Sequence, residues 1–334
     1  MACRSLLLAW CGLCVAAAAF GQAGALSRVG AIAGPAQQVQ IAGNTLYIAA
    51  DRTLRTADIT NPSAPRPLAS FTFAEPIRPF VVSGNLVFTF VDFFGLRVLD
   101  VSSSSTPTLR GALALKGGVV AATLLDSRTI LTANMVAGVQ VLDVSDPAKP
   151  AVLTSHFTDG YVQDVFASRP LAYVTDDPTG LHVLDLSTPA SPAEVSVTGL
   201  DVPPPPGGVG LVDFPSPRLV LVDRPGAKPA RLAAVLDRTS GLLLLYDISN
   251  PSTPARVSSL KTPSRSHMLK AHGSRVYVAA GAEGLHVVDV ADPQKPVSAG
   301  VFKTTHPAQD VAVSGPLVFV ATGAGGVVIL RDGP

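Results

Sequence analysis

Cysteine, tryptophan and strong charge are what this 334-residue chain has least of. Its three cysteines (Cys3, Cys11, Cys14) and its single tryptophan (Trp10) all fall in the first 14 residues. Beyond that point, composition excludes disulfides, thiolate zinc sites and a cysteine nucleophile. Aromatic residues are scarce at 6%, charged residues make up 15%, and no block of like charge occurs. The chain has no G-x-S-x-G elbow, no phosphate-binding P-loop and no H-x-H or H-E-x-x-H pair, so hydrolase, nucleotide and zinc-peptidase readings lose their usual support. The tryptophan-bearing repeat phrases of sialidase-like and quinone-dependent proteins are missing as well.

What the chain does have begins with a leader. Leu6 to Ala19 is apolar, Arg4 precedes it, and Ala23-Gly24-Ala25 follows. This order predicts a secretory signal peptide over residues 1–25, cleaved between Gly21 and Ala25; the alternative is an uncleaved anchor. No other run approaches the roughly 18 apolar residues of a membrane span. The mature protein is therefore expected in a periplasm, outside the cell or on its surface, without a transmembrane span. Of 25 basic and 24 acidic residues the leader removes Arg4 alone, leaving 24 against 24. A near-neutral chain is a poor partner for nucleic acid, which demands a basic surface.

The rest is dominated by a repeated phrase: Gly, several apolar residues, Asp, an aliphatic residue, Ser or Ala, then two prolines three residues apart. It reads G-V-Q-V-L-D-V-S-D-P-A-K-P from Gly138, G-L-H-V-L-D-L-S-T-P-A-S-P from Gly180 and G-L-H-V-V-D-V-A-D-P-Q-K-P from Gly284. Its aspartate recurs at Asp58, Asp100, Asp143, Asp185, Asp247 and Asp289, and Arg331 takes the seventh place. The steps between them are 42, 43, 42, 62, 42 and 42 residues. A period near 42 filled with β-branched and aromatic stretches, such as Leu86 to Phe90 and Leu317 to Ala321, predicts one four-stranded antiparallel sheet per repeat. Seven repeats predict an all-β, seven-bladed propeller over residues 26–334.

The chain ends just after the third strand of its last repeat, while Leu26 to Ala31 resembles an outer strand with no repeat of its own. These two facts predict that the N-terminal strand completes blade seven and removes two open sheet edges. The 62-residue step places an insertion of about 20 residues in blade five, at about 198–231, too short for another blade at this period. Its four consecutive prolines, Pro203 to Pro206, favour an extended polyproline segment.

Val98-Leu99-Asp100-Val101-Ser102, Val141-Leu142-Asp143-Val144-Ser145-Asp146-Pro147 and Val287-Val288-Asp289-Val290-Ala291-Asp292-Pro293 resemble LVIVD repeats, a family of secreted or surface-exposed prokaryotic β-propellers. Tyr173-Val174-Thr175-Asp176 is distantly similar to the strand phrase of YVTN surface-layer propellers. Neither resemblance implies a catalytic residue. The chain departs from the pattern at Thr53, at Ser103-Ser104-Ser105 and at Arg331.

Six copies of one carboxylate suit a structural duty better than a single active site, so the motif aspartates are expected to cap turns. Candidate binding residues are those that differ between repeats near the start of each inner strand: Gln38, Arg78, Tyr161, Asp164, His267, His306 and Asp310. They are expected to line a polar funnel at one mouth of the central channel. His156, His267 and His306 lack metal-ligand spacing; no metal, cofactor or catalytic residue is expected. The expected function is a monomeric secreted scaffold for a protein or cell-envelope component. The alternatives are a small-ligand or glycan receptor using the funnel, and, third, a hydrolase or isomerase with a funnel His/Asp pair.

Overall fold

The structure, a computed structural model, describes residues 26–333 except 92–94, 104–105, 201–216, 225, 227–230, 264 and the side chain of Arg78. The predicted leader and the proline run lie outside the described residues. Among the described residues no helix is long and apolar enough to cross a membrane. Strands form seven antiparallel sheets of four, each a blade whose strands follow chain order from the channel outwards. Blades one to six span residues 38–72, 77–113, 121–156, 161–198, 218–261 and 268–302. Blade seven takes three strands from 310–331 and its outer strand from Ser27–Ile32, which pairs antiparallel with Val327–Arg331. Its inner strand packs against that of blade one, so the ring is closed.

The repeated phrase builds this ring through three contacts. Its glycine opens the third strand in a left-handed conformation, with φ of 74° at Gly138 and 83° at Gly284. A Cβ there would meet the carbonyl oxygen of the outer strand at 2.2 Å, His156 O in one blade and Phe302 O in the other. Only glycine escapes both the strain and the collision. At Gly326 of blade seven the oxygen encountered, again at 2.2 Å, belongs to Ile32 of the N-terminal strand. The borrowed strand therefore occupies the same place as an ordinary outer strand.

The motif aspartate accepts a hydrogen bond from the backbone N–H two residues on in every copy, including Ser102 N to Asp100 at 2.8 Å and Ala291 N to Asp289 at 2.8 Å. The prolines that follow end the ladder. The carbonyl of the first proline then reaches back to the outer strand of the preceding blade. Ser196 Oγ donates to Pro251 O at 2.7 Å and Ser258 Oγ to Pro293 O at 2.6 Å. Where no serine is available, Gly111 and Gly30 leave room for Pro147 O and Pro62 O. The Gly30 contact joins the N-terminal strand of blade seven to blade one across the closure.

Every outer strand shifts register by a bulge against the third strand, a device that twists a free edge away from further pairing. Second and third strands are buried on both faces, as in Leu232–Asp237, because each sheet is sandwiched between two others. The apolar clusters accordingly lie between blades: Tyr47 and Leu54 with Phe80 and Val87, Val220 and Leu245 with Leu269 and Val278. This explains why those strands are almost continuously apolar rather than alternating.

Candidate functional site

The two faces of the ring are made of different segments. One face carries the aspartate and proline turns; the other, the upper face, carries the hairpins between second and third strands and the linkers between blades. The residues expected at the funnel all enter from the upper side. Strand register puts Gln38, Ala121, Asp164, Arg218, Met268 and Asp310 at one level of the inner strands, each opposite the equivalent residue of its neighbour. The pairing of Ala121 with Ala133 also fixes blade three, where this level falls one residue earlier than the spacing predicts. Arg78 falls outside the described side chains.

Asp164 and Asp310 are buried and spent within the framework. Asp164 accepts from Val165 N at 2.9 Å and from Leu219 N of the next blade at 2.9 Å. Asp310 does the same with Val311 N at 2.8 Å and Val39 N at 2.9 Å, across the closure from blade seven to blade one. Each carboxylate is a strut between adjacent inner strands, with the protein supplying the donors that water would have supplied. Burial raises the pKa of both, opposed by Arg218 and the two backbone donors at Asp164 and by Lys270 and the two backbone donors at Asp310. Lys270 and Gln40 contribute polar groups to a cavity of about 430 Å³ further along the channel, which is otherwise lined mainly by Val, Ala, Ile, Leu and Phe.

The histidines part company. His267 is half-buried beside Gly281 of the blade-six hairpin, whereas His306 is exposed and lies against Gly325 of blade seven, whose Cβ position is 2.5 Å from its Nδ1. Among the described residues no group of three or more His, Cys, Asp or Glu side chains is disposed to hold a metal ion. Burial lowers the His267 pKa, and the charges of Arg238 and Arg218 lower it further.

Arg218 is the residue that spacing alone did not find, because the long interruption hides the start of the blade-five inner strand. The structure places that strand at Arg218–Asp223. From it the Arg218 guanidinium reaches across to Val120 O and Gln163 O, both at 3.3 Å, while its Nε is buried without a hydrogen-bond partner. Arg238, in the blade-five upper hairpin, donates to Ser266 O at 2.9 Å.

A second feature of the upper face is apolar. Met135 and Val136 occupy the blade-three hairpin, and Phe157 and Tyr161 the entry to blade four; Val136 is 66% exposed and Phe157 68%. Met135 has φ of 50°, at the hairpin position held by Gly281 and Gly323 in two other blades. Its backbone bridges Val162, beside Tyr161, and Gly138 brings Phe157 against the same hairpin. Phe157 and Tyr161 are the only exposed aromatic side chains among the described residues.

Blade four also holds a nucleophile-like relay: Thr179 Oγ1 lies 2.6 Å from His182 Nε2, and His182 Nδ1 lies 2.9 Å from Glu194. The position of His182 in the repeated phrase is polar in most blades and ties the upper hairpin or linker to its surroundings. Gln140 does so through Asn134 and Ser155, and Arg55 through Ala33 O and Pro35 O. Thr179 Oγ1 is also held by Asp176 at 2.6 Å. The relay is thus one version of a brace that recurs from blade to blade.

A closed ring of seven four-stranded blades defines the chain as a seven-bladed β-propeller. The sequence profile of the LVIVD repeat matches residues 33–72, 79–114, 159–198, 235–262, 266–304 and 307–330, more than half of the chain, and the protein belongs to the LVIVD-repeat family. The matched segments pass over residues 115–158, which include blade three. No curated protein matches the chain in sequence. Among solved structures it resembles the β-propeller domain of Cps50 (Swd1) from Myceliophteria thermophila, with 12% identity, TM-score 0.70, and 92% of this chain and 99% of that one covered. It also resembles the computationally designed Ika8 protein, with 13% identity, TM-score 0.62, and coverage of 91% and 98%. At these identities the likeness is one of fold.

Proposed function

We propose that the protein is a secreted β-propeller scaffold that holds a protein partner on its upper face, at the apolar patch of Met135, Val136, Phe157 and Tyr161. The patch carries the reading. Large side chains stand exposed next to one another on a rigid frame, and Met135 accepts a left-handed backbone that other blades give to glycine. A clustered apolar surface with an aromatic anchor suits protein recognition, where a few desolvated side chains supply most of the binding energy. Met135, Val136 and Phe157 lie in the stretch 115–158 that the family profile passes over, which fits a function particular to this protein rather than to the fold. Secretion rests on the leader at residues 1–25. The brace role of Thr179, His182 and Glu194 gives catalysis no comparable support.

The test is crosslinking and affinity capture of the mature protein in its own secreted compartment, alongside Val136→Ser and Phe157→Ser. The substitutions are expected to leave the melting temperature within about 2 °C, as exposed positions do, and to weaken capture by tenfold or more. Capture unchanged in both variants would sink the proposal.

A further inference from the structure

Arg218 pairs with Leu236, two residues short of Arg238, so both arginines stand at the upper end of blade five. Arg238 donates to Ser266 O, next to His267 at the start of blade six. The charge of Arg218 acts on Arg238, and both charges act on His267. Among the described residues neither arginine has a carboxylate within 4 Å, although the other ion pairs of the molecule close to that distance or less. The nearest acid in the inner strands, Asp164, has both oxygens bonded to backbone N–H groups. Each guanidinium carries five N–H donors. Arg218 uses Nη1 on two carbonyls at the long distance of 3.3 Å and leaves its buried Nε idle, and Arg238 uses Nε on Ser266 O. Two partly buried like charges with unspent donors are costly unless an anion joins them.

We infer that this corner of the channel mouth, formed by Arg218, Arg238 and His267, is a binding site for the oxyanion group of a small ligand, a carboxylate or a phosphate. A guanidinium fork matches the planar or tetrahedral oxygens of such groups, and Arg is the side chain suited to bidentate recognition. The site draws on blades five and six, and depends on none of the residues of the apolar patch. Further along the channel, Lys270 adds positive charge, so the path inwards also favours an anion. Burial, then the charge of Arg218, holds the Arg238 pKa below its ordinary value.

Thermal melting of the mature protein in sodium phosphate and in sodium acetate, each against sodium chloride at the same ionic strength, tests the inference. At about 100 times its Kd the bound anion is expected to raise Tm by roughly 4 °C over chloride. A larger shift with phosphate identifies a phosphoryl group as the natural ligand chemistry, and a larger shift with acetate a carboxylate. Arg238→Gln should abolish the shift, whereas Phe157→Ser should retain it. Because Arg238 also holds Ser266, His267→Gln serves as a second variant and should weaken the anion at least threefold without touching that bond. The site is overturned if neither anion exceeds chloride, or if both variants respond as the unaltered protein does.

Discussion

At the scale of single residues, two kinds of position hold the ring together, and their failures should differ. Gly138 is both left-handed and pressed against His156 O, whereas Gly43, with φ of 57°, has open space around its Cβ position. Gly138→Ala is expected to cost about 3 kcal/mol, combining backbone strain with overpacking, and Gly43→Ala about 1 kcal/mol from strain alone. Denaturant midpoints of the two variants measure the difference. The carboxylates predict a stability profile with two limbs. Bonds from Ser102, followed by Arg110, hold Asp100 down at about 2, and Asp58, Asp143 and Asp185 are lowered by similar bonds. For these groups the unfolded chain binds the extra proton, so stability rises with pH through the acid range and is lost as pH falls through the folded-state values. Asp164 and Asp310 are raised, so the folded chain binds the extra proton and stability should decline as pH rises above about 4. Asp310→Asn should reduce the second limb to the share of Asp164 and leave the first; urea unfolding across pH reads both.

At the scale of elements, the N-terminal strand and the inner strand of blade five matter most. Ser27–Ile32 supplies the outer edge of blade seven, and Leu26, Val29 and Ile32 pack against its apolar clusters. Removing residues 26–33 reopens an edge, exposes those side chains and frees the Gly30 contact with blade one. Its expected cost of about 4 kcal/mol corresponds to a fall in Tm of roughly 6 °C, read by calorimetry. A trimmed protein that melted like the intact one would contradict the closure. The strand Arg218–Asp223 shows how an element escapes detection. It pairs along its whole length with residues 231–236, yet the interval to blade four and the turn after Asp223 are both longer than in other blades. With the regular spacing lost on both sides, nothing in the pattern marks Arg218 as the counterpart of Gln38 and Asp310.

At the scale of the whole molecule, the asymmetry between faces divides structure from function. The lower face repeats the aspartate and proline turns with little change, and the upper face varies from blade to blade. On that upper face the apolar patch lies at blades three and four, and the arginine pair at blade five, beside His267 of blade six. If both operate, loss of partner capture in Phe157→Ser and loss of the phosphate response in Arg238→Gln should be separable in the two proteins. A ring so extensively bonded between blades should change little in backbone on binding.

The sequence by itself determined the blade count, the closure and the duties of the repeated glycine, aspartate and prolines. Each of these follows from local chemistry, a left-handed turn, a side chain bonded two residues away or a missing donor, and recurs often enough for the period to expose it. Only the tertiary structure decided what the non-repeated polar residues do. Asp164 and Asp310, similar in sequence to funnel residues, are consumed by backbone N–H groups of the next blade; His306 turns to the blade-seven hairpin; and Arg218 stands one strand away from the hairpin whose Arg238 is tied to Ser266, beside His267. Those outcomes depend on which neighbour a side chain meets across a blade interface, a relation carried by the closed ring and by no spacing along the chain.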